Sequence, residues 1–104
     1  MTKSSKSIYK QADSFSQLAK SKGYRSRSAL KLLELQKKDG FIKLGSKVLD
    51  LGSSPGGWSQ VAKEEVGKRG LVFGVDLKEM KPIKEINFLK KEIKNIKESD
   101  FIIL

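Results

Sequence analysis

The sequence predicts a small α/β domain with a doubly wound, mostly parallel sheet. Short apolar runs at residues 48–51 and 71–75 have the length and character of buried strands. A glycine-rich loop and a helical pattern lie between the two runs, and an acid, Asp76, directly follows the second. Strand, glycine loop, helix, strand and acid in this order are typical of the βαβ unit of such a fold.

The size and composition of the chain bound its function. Its 104 residues suffice for one small domain. The absence of Cys and His excludes thiol chemistry, disulfides, Cys/His zinc sites and histidine-dependent triads. No run approaches the roughly 18 apolar residues of a membrane span, so we expect a soluble protein.

The net charge of +10 is concentrated at the front of the chain. Residues 1–47 contain 12 Lys or Arg and 3 acids, whereas residues 48–104 contain 10 and 9. We therefore divide the chain into a basic arm, residues 1–24, and a body, residues 25–104. The arm indicates either a polyanionic partner or a solvated, solubilising segment, and charge alone leaves both open.

The elements follow in order from local signals. Residues 11–22 form a short helical pattern, and a second helix is predicted from Ser26, a good N-cap, to about Gly40. A third helix should run from Trp58 to residue 66 and end at Gly67. Residues 77–85 form a loop or short turn around Pro82.

Two more strands are predicted, at residues 87–89 and 101–104. The connection over residues 90–100 is too short for a full covering helix. The last run is the most apolar in the chain, and nothing follows it to cover its faces. Either the chain is a fragment of a longer domain, cut after the fourth strand, or a partner supplies the remaining layer, and we favour the fragment.

The loop from Gly52 to Gly57 is the strongest functional signal. Gly52 lets the chain turn sharply off the strand, and Gly56 and Gly57 would leave room for a ligand beside the amides of a helix start. Asp76 ends the second strand, where an acid binds ribose hydroxyls. A simple turn with a strand-end acid is the alternative. The loop is neither G-x-G-x-x-G nor a P-loop, which favours S-adenosylmethionine (SAM) over NAD or a nucleoside triphosphate.

Two stretches resemble the FtsJ/RrmJ-type ribosomal RNA 2′-O-methyltransferases: Arg25-Ser-Arg27 with the following Lys31-Leu, and the run VLDLGSSPGGWSQ at residues 48–60. The likeness extends from about Phe15 to the last residue. It implies a Rossmann-like methyltransferase fold that transfers a methyl group from SAM to a ribose 2′-oxygen of large-subunit ribosomal RNA.

The resemblance also assigns residues. Gly52, Gly56 and Trp58 would contact SAM, the latter two at its methionine side, and Asp76 would hold the ribose. The alternative for Trp58 is packing, since an aromatic residue that opens a helix under a sheet often belongs to the core. Glu92 stands where the family usually has an Asp near the adenine, although Lys91-Glu92 replaces the usual Gly-Asp pair. Lys31 matches the first member of a Lys-Asp-Lys-Glu catalytic set, and the other three would lie beyond Leu104. Glu34 could instead pair with Lys31 on a solvated helix face.

The expected partner is ribosomal RNA in the large ribosomal subunit, with Arg25 and Arg27 on phosphates. No metal is required for direct methyl transfer, and we expect a cytoplasmic monomer, with organellar import as the minor alternative. A second hypothesis is a catalytically incomplete, RNA-binding homologue that uses the basic arm. A third, half of a nicotinamide-linked dehydrogenase, conflicts with the loop sequence.

Overall fold

The computed structural model describes residues 14–101 of the chain. Helical residues 14–21 (α1) are followed by α2 (Ser28–Asp39), β1 (Lys47–Leu51), α3 (Gly57–Val66), β2 (Leu71–Asp76) and β3 (Asn87–Lys90). Two 3₁₀ turns, Ile93–Asn95 and Glu98–Phe101, complete the order. Among these helices, none has the length and apolar character needed to cross a lipid bilayer.

The three strands form a parallel sheet in the order β1-β2-β3. Asp50 of β1 lies opposite Gly74 of β2, which in turn lies opposite Phe88 of β3. Because all strands run in the same direction, their carboxyl ends meet at one edge, and the loops that leave Leu51 and Asp76 start side by side. The predicted α/β class and parallel sheet are confirmed.

Helix α3 lies between α2 and one face of the sheet. Val61 packs with Ala29 and Leu32 of α2, and the neighbouring turns of α3 pack with β2 through the buried residues Ala62, Val66 and Val72. These contacts anchor the start of α3, and hence the loop before it, to both α2 and the sheet. Part of the predicted basic arm also belongs to the fold, because Ala19 of α1 is buried.

The start of α2 differs from the prediction. Ser26 is not its N-cap: Arg27 occupies that position, and no side chain caps the helix. The Ser26 hydroxyl instead shares a 2.7 Å hydrogen bond with the Ser28 hydroxyl. It also lies so close to Gly57 that a methyl group added there would overlap it. Ser26 therefore mediates contact between the starts of α2 and α3.

Two predictions about burial and the fourth strand also need correction. β1 is not buried on both faces by the described residues, since Leu49 and Leu51 are 46% and 49% exposed. Phe101 lies in a 3₁₀ turn rather than a strand, with its ring against Phe73 at a centroid distance of 5.2 Å. Residues 102–104, and residues 11–13 of the first predicted helix, lie outside the described part. Between β3 and Phe101 the described residues form 3₁₀ turns and no α-helix, in agreement with the expected absence of a full covering helix there.

Candidate active site

The loop after β1 turns sharply at Gly52, as the sequence predicts. Gly52 has φ +77°, and its N–H and that of Ser53 both donate to the Val75 carbonyl, at 2.7 and 3.0 Å. These bonds hold the start of the loop against the end of β2. Apart from the two chain neighbours of Gly52, no atom of residues 14–101 lies within 4 Å of the position that a Cβ there would take. The backbone at Gly52 is therefore open to a ligand.

The two glycines at the end of the loop serve packing. Gly56 has φ +118°, and a Cβ there would lie 2.5 Å from Ile83 Cδ1 and 3.2 Å from Met80 Sδ. The corresponding space at Gly57 holds Ser26. We expected these two glycines to leave room for a ligand. At the positions where a Cβ would stand this expectation is wrong, because other side chains of the protein already fill the space. A backbone contact between Gly56 and a cofactor stays a prediction.

Asp76 ends β2 with both carboxylate oxygens engaged. One accepts from the Lys78 N–H and the other from the Ser54 N–H, each at 2.9 Å. These backbone donors, that of Lys78 foremost, hold the pKa of Asp76 below its usual value, although partial burial opposes them. A carboxylate oxygen can accept more than one hydrogen bond. Asp76 is thus a fixed anion with remaining acceptor capacity.

The structure brings three of the residues assigned to the cofactor into one cavity. This space of about 390 Å³, which we call the Asp76 cavity, is lined by Gly52, Asp76, Leu77 and residues 91–94. Glu92 belongs to its wall and pairs with Lys94 at 3.3 Å. The apolar side chains of Leu77 and Ile93 are both more than half exposed. The cavity thus combines a fixed carboxylate with apolar surface.

A second space of about 200 Å³ is lined by residues of the same loop and also includes Gly52. We call it the Gly52 cavity. Trp58 lines it, and its indole N–H donates to the Ser28 carbonyl at 2.8 Å. The indole therefore links α3 to the first turn of α2 beside the cavity. Gly52 and Trp58 are together here, whereas Asp76 and Glu92 are in the neighbouring cavity.

Asp50 and Ser53 also line the Gly52 cavity, although neither was predicted as a site residue. Asp50 accepts a 2.7 Å hydrogen bond from the Ser59 hydroxyl. Burial, together with the charge of Asp76, raises the pKa of Asp50, and the Ser59 bond opposes this change. Ser53 is 4% exposed, and its hydroxyl has no partner among the described residues. An acid inside an apolar strand was the signal that could have identified Asp50.

Lys31 lies outside both cavities. Its side chain is 64% exposed on α2 and lies 3.9 Å from Glu34, the predicted pairing. It lines a separate space of about 330 Å³, the Lys31 cavity, whose wall includes Arg27 and Ser28. Because Ser28 lines the Gly52 cavity as well, the two spaces are neighbours. The catalytic assignment of Lys31 stays a prediction.

The two arginines before α2 have different environments. The Arg25 guanidinium donates to the carbonyls of Pro55, at 3.3 Å, of Lys81, and of Pro82, at 2.7 Å. Arg25 therefore joins the glycine loop to the segment after β2. The Arg27 side chain is exposed and makes no hydrogen bond or ion pair with another residue of the described range. Contacts of either residue with RNA stay predictions.

The chain is similar to known proteins in sequence and in fold. The model of the FtsJ-like methyltransferase family matches residues 24–104. The chain is 50% identical over 82 residues to ribosomal RNA large subunit methyltransferase E of Dechloromonas aromatica, covering 79% of this chain and 40% of the relative. The protein of the same name from Methanobrevibacter smithii is 53% identical over 79 residues, which are 76% of this chain and 38% of that one.

Solved structures show the same relationship. A ribosomal RNA methyltransferase of Plasmodium falciparum matches with a TM-score of 0.63 and 42% identity, over 69% of this chain and 40% of that one. A Lactococcus lactis protein described as a hemolysin matches with a TM-score of 0.64 and 27% identity, over 76% and 40% of the two chains. The chain spans about two fifths of the length of these relatives. With the family model covering most of its residues, the chain belongs to the FtsJ-like methyltransferase family.

Proposed function

We propose that the protein takes part in SAM-dependent methylation of a ribose 2′-oxygen in large-subunit ribosomal RNA. The observation that carries this proposal is the pair of cavities that meet at Gly52, one of which holds the fixed carboxylate of Asp76. The names of the relatives support the RNA substrate. Since this chain spans about two fifths of those relatives, the proposal concerns the activity of the complete domain.

The residues around Gly52 fit SAM. Asp76 offers acceptors for two ribose hydroxyls, and the Asp76 cavity has apolar surface for an adenine. The Gly52 cavity contributes the unpartnered hydroxyl of Ser53 and the half-buried carboxylate of Asp50, which suit the polar amino-acid end and the positive charge of SAM. Bound there, SAM supplies an electrophilic methyl group on a sulfonium.

Lys31 would act on the RNA side of the reaction. A ribose hydroxyl is a poor nucleophile near neutral pH, so it must be oriented or relieved of its proton while it faces the methyl group. Lys31 projects from the turn of α2 that Trp58 holds through Ser28. A substrate ribose seated between the Gly52 and Lys31 cavities would meet both the cofactor and the Lys31 side chain, which could orient the hydroxyl by hydrogen bonding.

Cofactor binding is tested by calorimetric titration with SAM and, in parallel, with NAD. We expect heat and thermal protection with SAM alone. Asp76→Asn should weaken SAM binding by about 10- to 100-fold, because hydrogen bonds to a charged group contribute about 1.5–3 kcal/mol. Asp39→Asn, at the exposed end of α2, is the matched control and should bind as the wild type does. A folded protein that gives neither heat nor protection with SAM would contradict the proposal.

The role of Lys31 is tested by transfer of a labelled methyl group from SAM to ribosomal RNA with the full-length protein. Lys31→Ala should abolish transfer but retain SAM binding, because its side chain lies outside both cofactor cavities. Lys38→Ala, at an exposed position of the same helix, should remain active. Resistance of the labelled linkage to alkaline cleavage would identify the 2′-oxygen as the acceptor. Unchanged turnover in Lys31→Ala would remove Lys31 from the mechanism.

A further inference from the structure

A large groove lies outside the Asp76 and Gly52 cavities. Its volume is about 630 Å³, and it lies between α1 and the loop after β2. We call it the basic groove, and the residues of its wall that matter here are Lys20, Tyr24, Arg25, Arg27, Pro55 and Lys81. The wall has four cationic side chains and one acid, Glu79, whose carboxylate lies 3.5 Å from Lys90. The groove therefore attracts anions.

Three of the four cations have their charged groups available. The side chains of Lys20, Arg27 and Lys81 are exposed, and none makes a hydrogen bond or ion pair with another residue between positions 14 and 101. Arg25 differs, because its guanidinium donates to three backbone carbonyls. Arg25 thus forms the wall of the groove, and the other three can contact a polyanion.

The groove is continuous with the candidate active site on two sides. Ser26, Ser54 and Pro55 line both the basic groove and the Gly52 cavity. Arg27 lines both the basic groove and the Lys31 cavity. A linear polymer that occupies the groove would therefore pass both the cofactor side and the lysine side of the site without leaving the protein surface.

An aromatic ring lies among these charges. Tyr24 lines the groove, and its hydroxyl donates to the Glu64 carboxylate on α3 at 2.7 Å, which fixes the orientation of the ring. Unpaired nucleic-acid bases stack on such rings, whereas the bases of a duplex are already stacked on each other. Positive charges beside a fixed aromatic ring are the features that bind a single strand.

We propose that the basic groove binds a single-stranded segment of the RNA substrate, with Lys20, Arg27 and Lys81 on its phosphates and Tyr24 stacked on one base. The identity of the polyanion as RNA rests on the proposed function. The position of the groove rests on the structure alone. The proposal assigns phosphate contacts to Lys20 and Lys81, which the sequence did not single out. Arg25 forms part of the groove wall through its hydrogen bonds to backbone carbonyls.

The test is fluorescence anisotropy with a short, labelled, single-stranded oligouridine and the full chain. Each lost phosphate contact should reduce the salt slope by about 0.7, which is about fivefold in affinity at ~0.1 M salt. The double variant Lys20→Gln/Lys81→Gln should therefore bind about 25-fold more weakly, with a slope reduced by about 1.4. The matched control, Lys43→Gln/Lys68→Gln, removes two exposed lysines outside the groove and should bind as the wild type does.

Tyr24 provides a second comparison. Tyr24→Leu should reduce affinity about tenfold through loss of stacking, whereas Tyr24→Phe retains the ring and should bind nearly as well as the wild type. A measurement on the wild-type protein does not depend on the folding of any variant: bound oligouridine should protect Lys20 and Lys81, but not Lys68, from acetylation. Equal affinity of the groove and control variants, or equal acetylation of the three lysines, would overturn the inference.

The two proposals fail separately. SAM titration of the groove double variant should match the wild type, because neither lysine lines a cofactor cavity. RNA binding that depends on the groove in a protein that gives no heat with SAM would uphold the groove and refute the methyltransferase proposal. Methyl transfer by a protein whose groove variants bind RNA normally would uphold the methyltransferase proposal and refute the groove.

Discussion

Replacing Arg25 by alanine tests whether one side chain holds together two loops beside the Gly52 cavity. Its guanidinium donates to Pro55 in the glycine loop and to Lys81 and Pro82 after β2. Hydrogen bonds from a charged group contribute about 1.5–3 kcal/mol each when buried. Because these bonds are exposed to solvent, we expect about 0.5–1 kcal/mol from each, and hence a loss of ~2 kcal/mol in the free energy of unfolding.

Urea denaturation followed by circular dichroism measures this loss. Arg25→Lys should recover less than half of it, because a single ammonium group cannot reach both loops as the planar guanidinium does. Arg69→Ala removes an exposed arginine from the turn before β2 and should change stability by less than about 0.5 kcal/mol. A stability of Arg25→Ala equal to that of the Arg69→Ala control would refute the argument that Arg25 joins the loops.

Two further predictions concern the sheet and the tyrosine. Gly74→Ala places a Cβ 2.7 Å from Ser53 Oγ. The variant should therefore lose about 2 kcal/mol in the free energy of unfolding and bind SAM more weakly. An unchanged melting temperature and an unchanged affinity for SAM would contradict this prediction. Burial and the Glu64 carboxylate raise the pKa of Tyr24 to about 12, above the ordinary 10. Its contribution to stability should therefore be complete below pH 10 and disappear as the pH rises towards 12. The variant Tyr9→Phe leaves Tyr24 as the only tyrosine, and its absorbance titration should have a midpoint near pH 12. Adding Glu64→Gln to this variant should lower the midpoint. A midpoint near pH 10 in Tyr9→Phe alone would contradict the hydrogen bond to Glu64.

Local patterns predicted much of the fold. The predicted α3 starts within one residue of the observed Gly57, and α2 ends at Asp39 before a left-handed Gly40, as expected. Gly52 and Asp76 line one cavity because they follow adjacent parallel strands, and the βαβ pattern predicted the parallel sheet. These features depend on neighbouring residues and on the rule that the carboxyl ends of parallel strands meet at one edge of the sheet.

The predictions that failed depend on contacts between distant segments. Ser26 looked like an N-cap, but its position is set by Gly57, which approaches it from the start of α3. The space expected for a ligand beside Gly56 is filled by Ile83 and Met80, whereas a backbone contact between Gly56 and a cofactor stays a prediction. The side-chain bonds of Arg25 join segments about 30 and 57 residues away, so no local pattern could distinguish its role from that of Arg27.

The position of Trp58 has a practical consequence. It is the only tryptophan of the chain, and its indole, 41% exposed, lies between the Gly52 cavity and the first turn of α2. The native protein thus carries an intrinsic fluorophore at the place where the proposed function would bring SAM and the RNA substrate together. Its emission spectrum and quenching by iodide can follow the arrival of each one without any added dye.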